Sequence, residues 1–192
     1  MKLLLVYGTT EGQTRKIAQF MADHLARQGH QTLSVNAIDA TAAADPSGFD
    51  AVMIAASLHA GHYQSAVVHF VSQYLAAINA RPNAFLSVSL AAASDDDDDA
   101  LGLERCVIQF SQQTGWSPQH IHHVAGAFRY TSYDFLKRWA MKYIAHRKGA
   151  PTDTSQDHEL TDWADLTQFV DNFLRERQSA PASRPENTLA AH

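Results

Sequence analysis

The chain has 192 residues, enough for one domain with a sizeable core and too few for two of ordinary size. Its 20 acidic and 15 basic side chains give a formal net charge of −5, so general affinity for nucleic acid is not expected. A single cysteine, Cys106, excludes an internal disulfide and a multi-cysteine metal site, and it fits a reducing compartment. The amino-terminal apolar run is too short to span a bilayer and does not match a signal peptide, so we expect a cytoplasmic protein.

The first fifteen residues predict a strand, a loop and the start of a helix. The run MKLLLVY is typical of a strand buried on both faces, and GTTEGQT follows it. Four side chains of this loop carry hydroxyl or amide donors: Thr9, Thr10, Gln13 and Thr14. Together with the first N–H groups of a helix they suit a phosphate, and Gly8 and Gly12 permit a close backbone approach. The loop matches neither a Walker motif nor a dinucleotide fingerprint, so an ordinary capped helix stays the alternative.

Strands and helices alternate along the chain that follows. The predicted helices are 13–28, 63–78 and 101–114, and the further predicted strands are 32–35, 51–56, 84–90 and 121–128. Buried strands that alternate with helices require a parallel sheet covered on both faces, so the fold class is doubly wound α/β. His122 and His123 point in opposite directions along the fifth strand, so at least one of them is expected to face solvent.

Three loops follow the carboxyl ends of the predicted strands, where ligands bind in doubly wound sheets. They are residues 8–14, 57–63 and 89–95. The second loop, SLHAGHY, carries the rings of His59, His62 and Tyr63, which can flank a flat ligand. Ordinary surface positions are the alternative for these histidines. No carboxylate accompanies them at metal-ligand spacing, so we predict no metal site.

Five consecutive aspartates, 95–99, follow the third loop. Their charge equals the whole excess of 20 acidic over 15 basic side chains. The spaced oxygen ligands, central glycine and terminal glutamate of an EF-hand are missing, so we expect a solvated acidic cap before the next helix rather than a calcium site.

Residues 134–148 combine an aromatic apolar helical face with a basic face. The apolar positions are Phe135, Leu136, Trp139, Ala140, Tyr143 and Ile144, and the basic ones are Lys137, Arg138, Lys142, Arg147 and Lys148. Such a helix is attracted to anionic lipid by about 1 kcal/mol per basic residue, which predicts peripheral contact with a membrane. Docking on the protein's own sheet or on a second subunit is the alternative, and the sequence does not fix the oligomeric state.

The last predicted helix begins at a Thr161–Asp162 cap and carries an apolar stripe. Residues 179–192 lack apolar periodicity and are expected to form a disordered tail. Residues 1–178 are therefore predicted to form a single domain.

A five-stranded doubly wound sheet with a hydroxyl-rich first loop resembles the flavodoxins, which bind FMN and have the strand order 2-1-3-4-5. More closely, the chain resembles the menaquinone-dependent protoporphyrinogen IX dehydrogenases over most of residues 1–178. The resembling segments are TEGQTRKIA, AASLHAGHYQSAVVHFV, FLSVSLAA, AGAFRYTSYDFLKRWAMKYI and TDTSQDHELTDW. The AGAFRY segment and the basic aromatic helix after it distinguish this family from simple electron carriers.

The resemblance implies that the three loops bind FMN. The phosphate would be wrapped by Thr9, Thr10, Glu11, Gly12, Gln13 and Thr14. The isoalloxazine ring would be enclosed by Ser57, Leu58, His59, Ala60, Gly61, Ser89, Leu90, Ala91, Ala92 and Ala93. Glu11 is expected to point outward, because a carboxylate repels a phosphate. No catalytic base is implied, and Tyr63, His59 and His62 are candidates only through the position of their loop.

The resemblance further implies oxidation of protoporphyrinogen IX to protoporphyrin IX in haem biosynthesis, with electrons passed through FMN to menaquinone or ubiquinone at the inner face of the cell membrane. The chain departs from the family pattern at 95–99, where relatives carry a basic stretch, and in a less aromatic loop after Ser57. Two other functions stay open. One is an electron-transfer flavodoxin that docks a partner through the acidic loop, and the other is an NAD(P)H quinone reductase.

Overall fold

The computed structural model describes residues 1–128 and 158–179. Five parallel strands form its central sheet, in the order β2-β1-β3-β4-β5. These strands are β1 (Lys2–Gly8), β2 (Gln31–Asn36), β3 (Ala51–Ser57), β4 (Asn83–Ser89) and β5 (His120–Ala125). The fold class and the strand order predicted from the sequence are confirmed.

Helices cover both faces of the sheet. They are α1 (Gln13–Arg27), α2 (Ser65–Gln73), α3 (Leu75–Asn79), α4 (Asp97–Thr114) and α5 (Trp163–Ser179). Alternate side chains of β1 reach opposite cores: Leu3 and Leu5 pack with α1 and α5, whereas Leu4 and Val6 pack with α2 and α4. Short 3-10 helices span Ala37–Asp39, Ala42–Ala44, Pro46–Gly48 and Ala91–Ala93.

Two helices differ from their predicted bounds. The predicted helix 63–78 is divided at Tyr74 into α2 and α3, a break that no proline or glycine announces in the sequence. Helix α4 begins at Asp97 rather than Leu101, because Asp96 caps it: Asp96 Oδ1 accepts the Asp98 N–H at 2.9 Å. Aspartates in a first turn also interact favourably with the helix dipole, so the acidic run starts the helix instead of preceding it.

The fifth strand is shorter than predicted. It ends at Ala125. The Gly126 N–H still donates to β4, at the Ser89 carbonyl, over 2.9 Å, but the Gly126 carbonyl accepts the Leu160 N–H over 3.0 Å. Ala127–Phe128 then forms β6, which pairs antiparallel with β7, His158–Glu159. The prediction of one strand over 121–128 is therefore wrong at its carboxyl end.

The expectation that His122 or His123 faces solvent is also wrong, since both are half-buried. The His122 ring stacks on Phe169 with centroids 4.4 Å apart, and its Nε2 lies 3.2 Å from Asp165 Oδ2. Burial lowers the pKa of both histidines, and for His123 the charge of His122 acts in the same direction. Helix α5 provides this cover for His122, because Phe169 and Asp165 both belong to it.

Helix α5 is capped and buried as predicted. Asp162 Oδ1 accepts the N–H groups of Ala164 and Asp165, each at 3.0 Å, and Leu166 and Val170 are fully buried. The predicted basic helix 134–148 lies outside the described residues, as does the predicted tail except for Ser179. Within the described ranges, no helix is both long and apolar enough to cross a membrane.

Candidate functional site

A cavity of about 220 Å³ lies at the carboxyl ends of β1, β3 and β4. Each of the three loops predicted from the sequence contributes to its lining. The lining residues from these loops are Thr9, Thr10, Glu11, Gln13, Thr14, Ser57, Leu58, His59, Ala60, Gly61, Ser89, Leu90 and Ala91. Val88, Gly126 and Ala127 complete it. Three predicted residues, Gly12, Ala92 and Ala93, belong to the same loops but are not part of this lining.

The first loop presents the start of α1 to the cavity. Gly12 has φ of +91°, a conformation that favours glycine, and its N–H donates to Thr9 Oγ1 at 2.8 Å. Gly12 is the N-cap residue, and no described side chain caps the helix. The first N–H groups of α1 therefore have no intrahelical acceptors, and Gln13 and Thr14 carry them at the cavity wall. A helix start of this kind binds anions.

The Thr14 hydroxyl is the polar atom that most clearly requires a ligand. Thr14 is 0% exposed, and its Oγ1 has no hydrogen-bond partner among the described residues. A buried polar group left unpaired destabilises a fold by about 1–3 kcal/mol. Because Thr14 contributes to the cavity lining in the first turn of α1, a phosphate oxygen that reaches its hydroxyl there would satisfy it.

Gln64, which the sequence analysis did not single out, connects the first two loops. Its Nε2 donates to Thr10 Oγ1 at 3.1 Å and to Ser57 Oγ. Its Oε1 is buried without a partner among the described residues. A Cβ on Gly8 would lie 2.5 Å from Val67 Cγ2 and 2.8 Å from Gln64 Oε1. Gly8 is therefore required by the packing of α2 on the end of β1, and not only by a ligand.

The second loop is a tight turn. The backbones of His59 and His62 exchange hydrogen bonds of 2.9 and 3.0 Å around Ala60 and Gly61, whose φ angles are +48° and +82°. Positive φ at both central residues is the type I′ pattern, and it is strained for alanine. His59 lines the cavity, whereas His62 does not. The turn thus directs one of the two predicted histidines to the site.

Tyr63 is excluded as a catalytic base. It is buried, its hydroxyl shares a hydrogen bond of 2.8 Å with Ser87 Oγ, and its ring packs edge-on against Phe85 and Phe110. Burial raises the pKa of Tyr63 to about 12. A group that does not line the cavity and stays protonated at neutral pH cannot take a proton from a bound ligand.

The five aspartates at 95–99 are not part of the cavity lining. Instead, Asp97, Asp98 and Asp99 form the first turn of α4. Glu11 is half-exposed and contributes to the cavity lining, and the outward direction of its carboxylate stays a prediction. In residues 1–128 and 158–179, no group of three or more His, Cys, Asp or Glu side chains could hold a metal ion.

Sequence reasoning missed the fourth wall of the cavity, Gly126 and Ala127. The available signal was the glycine of the AGAFRY segment, placed directly after a strand. It also missed Thr161, whose Oγ1 accepts a hydrogen bond from Gln13 Nε2 at 2.9 Å. These two residues are 148 positions apart, and no local pattern predicts such a contact.

Comparison with known proteins yields one family and a consistent set of relatives. The family model described as Flavodoxin domain matches residues 4–155. A protoporphyrinogen IX dehydrogenase (quinone) of Escherichia coli strain K12 is 34% identical over 92% of this chain and 94% of its own length. A protein of the same name from Leishmania major is 30% identical over 98% of this chain and 81% of its own length.

Solved structures support the same fold. Oxidised flavodoxin 1 from Bacillus cereus aligns with a TM-score of 0.54 at 13% identity, covering 91% of this chain and 98% of the flavodoxin. A flavodoxin from Streptococcus pneumoniae aligns with a TM-score of 0.52 at 14% identity, covering 92% of this chain and 99% of that one. At these identities the likeness concerns the fold alone.

Proposed function

Because the chain belongs to the Flavodoxin domain family and, within it, to the protoporphyrinogen IX dehydrogenases (quinone), we propose that it is an FMN-dependent enzyme that oxidises protoporphyrinogen IX to protoporphyrin IX and passes the electrons to a quinone. The cavity at the ends of β1, β3 and β4 is the proposed FMN site. The observation that carries this proposal is the buried Thr14 hydroxyl at the start of α1, which has no hydrogen-bond partner among the described residues.

The residues present fit the phosphate end of FMN. Thr14 Oγ1 and the first N–H groups of α1 offer donors to a dianion, and the helix dipole adds attraction. Hydrogen bonds to a charged group contribute about 1.5–3 kcal/mol each, so several of them hold a phosphate without an arginine. Thr10 is held in place by Gln64 Nε2, which leaves its hydroxyl hydrogen free to donate.

The ring end of the site is less polar. Leu58, Ala60, Leu90 and Ala91 provide apolar lining, as an isoalloxazine ring requires. The Leu58 N–H donates to the Val88 carbonyl at 2.7 Å, which fixes the second loop against the end of β4. Bound FMN would accept electrons from the porphyrinogen and pass them to the quinone, and the protein would orient the flavin.

Among the described residues that line the cavity, only Glu11 and His59 have titratable side chains. Dehydrogenation of a porphyrinogen releases protons as well as electrons, so a proton acceptor at the cavity assists it. Glu11 belongs to the phosphate loop, whereas His59 belongs to the loop proposed to enclose the ring. A ring nitrogen of His59 is therefore the proposed proton acceptor.

The experiment that tests this function follows the flavin itself. The FMN-loaded protein is mixed anaerobically with protoporphyrinogen IX in one sample and with NADPH in another, and the loss of oxidised-flavin absorbance is recorded. Bleaching by protoporphyrinogen and not by NADPH is expected. Bleaching by NADPH alone would assign a quinone reductase, and bleaching by neither would assign an electron carrier that needs a protein partner.

The basic segment 134–148 is the proposed contact with the membrane in which the quinone resides. Replacing Lys137, Arg138 and Lys142 with glutamate should weaken binding to liposomes with anionic lipid by at least about 100-fold, at about 1 kcal/mol per basic residue. A co-sedimentation assay measures this. The control variant has the same charge change at three exposed arginines elsewhere, Arg27, Arg105 and Arg175. Equal liposome binding by the two variants would refute the membrane role of this segment.

A further inference from the structure

We propose that Thr161 is a positioning residue for the cofactor phosphate, acting through Gln13. Thr161 lies between β7 and α5 and is 9% exposed. Its Oγ1 accepts the Gln13 Nε2 hydrogen bond at 2.9 Å and donates its own hydrogen to the Ala125 carbonyl at 2.7 Å. The inference rests on the proposed FMN site, to which it adds a residue outside the three loops.

The direction of these two hydrogen bonds fixes the orientation of the Gln13 amide. A threonine hydroxyl has one hydrogen, and here that hydrogen is given to the carbonyl at the end of β5. Thr161 can therefore only accept from Gln13, which requires the Nε2 side of the amide to face Thr161. The second Nε2 hydrogen has no acceptor in the described part of the chain, and Gln13 lines the cavity at the start of α1.

Other contacts hold the segment 159–163 on α1 independently of Thr161. Glu159 pairs with Lys16, and the Trp163 ring lies 4.7 Å from the Phe20 ring, centroid to centroid. Lys16 Nζ also lies 5.4 Å from the centroid of the Trp163 ring. Because these contacts do not involve the Thr161 hydroxyl, removing it should release Gln13 without detaching the segment.

The Thr161 hydroxyl should affect only the binding of the FMN phosphate. A Gln13 side chain that is already fixed loses less rotamer freedom when it donates to a ligand, so fixing it increases affinity. Thr161→Val should weaken FMN binding by about 10-fold, the size expected for one lost interaction with a charged group. Riboflavin, which lacks the phosphate, should bind wild type and Thr161→Val equally.

The experiment measures FMN and riboflavin dissociation constants of the full chain by quenching of flavin fluorescence. Thr161→Ser, which keeps the hydroxyl, should retain wild-type FMN affinity. Thr167→Val is the matched control, because the Thr167 hydroxyl donates to the Trp163 carbonyl within α5 and does not line the cavity. It should leave both constants unchanged.

Each outcome separates the inference from the proposed function. If wild type binds no FMN, the proposed function fails. If wild type binds FMN and Thr161→Val binds it equally well, only the role of Thr161 fails. An equal loss of FMN and riboflavin affinity in Thr161→Val, or the same loss in Thr161→Ser, would show a merely structural role and would also overturn the inference.

Discussion

Replacing Thr14 with valine is expected to weaken FMN binding by about 10- to 150-fold, the equivalent of the 1.5–3 kcal/mol that a hydrogen bond to a charged group contributes. The same substitution is expected to raise the unfolding free energy of the protein without FMN by about 1 kcal/mol. Valine has nearly the shape of threonine, so it removes the buried Thr14 hydroxyl, unpaired within residues 1–128 and 158–179, without leaving a large cavity. Loss of affinity with a gain in stability identifies a residue kept for binding.

Thr114→Val is the matched control. Thr114 is also a buried threonine, but its Oγ1 donates to the Phe110 carbonyl at 2.8 Å and accepts the Trp116 N–H at 3.2 Å. Valine at this position removes both hydrogen bonds and leaves the Trp116 N–H without this acceptor, so the unfolding free energy should fall by about 1–3 kcal/mol while FMN affinity stays unchanged. Urea unfolding of the FMN-free proteins and flavin titration measure the two quantities.

The Thr14 result can contradict the account in two ways. Wild-type FMN affinity in Thr14→Val would mean that the phosphate binds elsewhere. A loss of unfolding free energy as large as that of Thr114→Val would mean that the Thr14 hydroxyl has a partner within the protein.

His59→Gln is expected to lower the rate of flavin reduction by protoporphyrinogen by about 10²-fold or more, since a positioned proton acceptor contributes 10²–10⁴-fold. His59 lies at the cavity, and glutamine keeps a polar side chain of similar length without a basic ring nitrogen. The turn around Ala60 and Gly61 is held by backbone hydrogen bonds, so it should survive the substitution. Anaerobic stopped-flow absorbance measures the rate.

His62→Gln controls for the turn, because His62 provides the other half of the same backbone pair but does not line the cavity. Protoporphyrinogen should reduce the flavin of His62→Gln at the wild-type rate. Added imidazole should restore part of the lost rate in His59→Gln, while His62→Gln should keep wild-type FMN affinity. Equal rates in the two variants would remove His59 from the proton transfer.

The fold was predictable because its signals are local. The apolar run of β1 and the stripes of α1 and α5 each specify one buried surface, and alternation of such elements leaves few topologies. The position of the site followed from the same argument, since the ends of β1, β3 and β4 meet at one edge of the sheet.

What the sequence did not predict depends on contacts between distant segments. The division of the second helix at Tyr74 carries no glycine or proline signal, and the burial of His122 depends on Phe169 of α5. The sequence offered His62 and Tyr63 as base candidates on the same terms as His59. Only the structure distinguishes them, because His62 does not line the cavity and the Tyr63 hydroxyl shares a hydrogen bond with Ser87. Likewise, the link from Gln13 to Thr161 exists only in three dimensions.

The central claim is that this chain oxidises protoporphyrinogen IX with a quinone as acceptor. The most direct measurement mixes the FMN-loaded protein anaerobically with protoporphyrinogen IX and a menaquinone analogue, and records porphyrin fluorescence beside a sample without quinone. The account predicts sustained formation of porphyrin only when quinone is present. A protein that binds FMN and forms no more porphyrin with quinone than without it would contradict the account and would place the chain among the electron carriers.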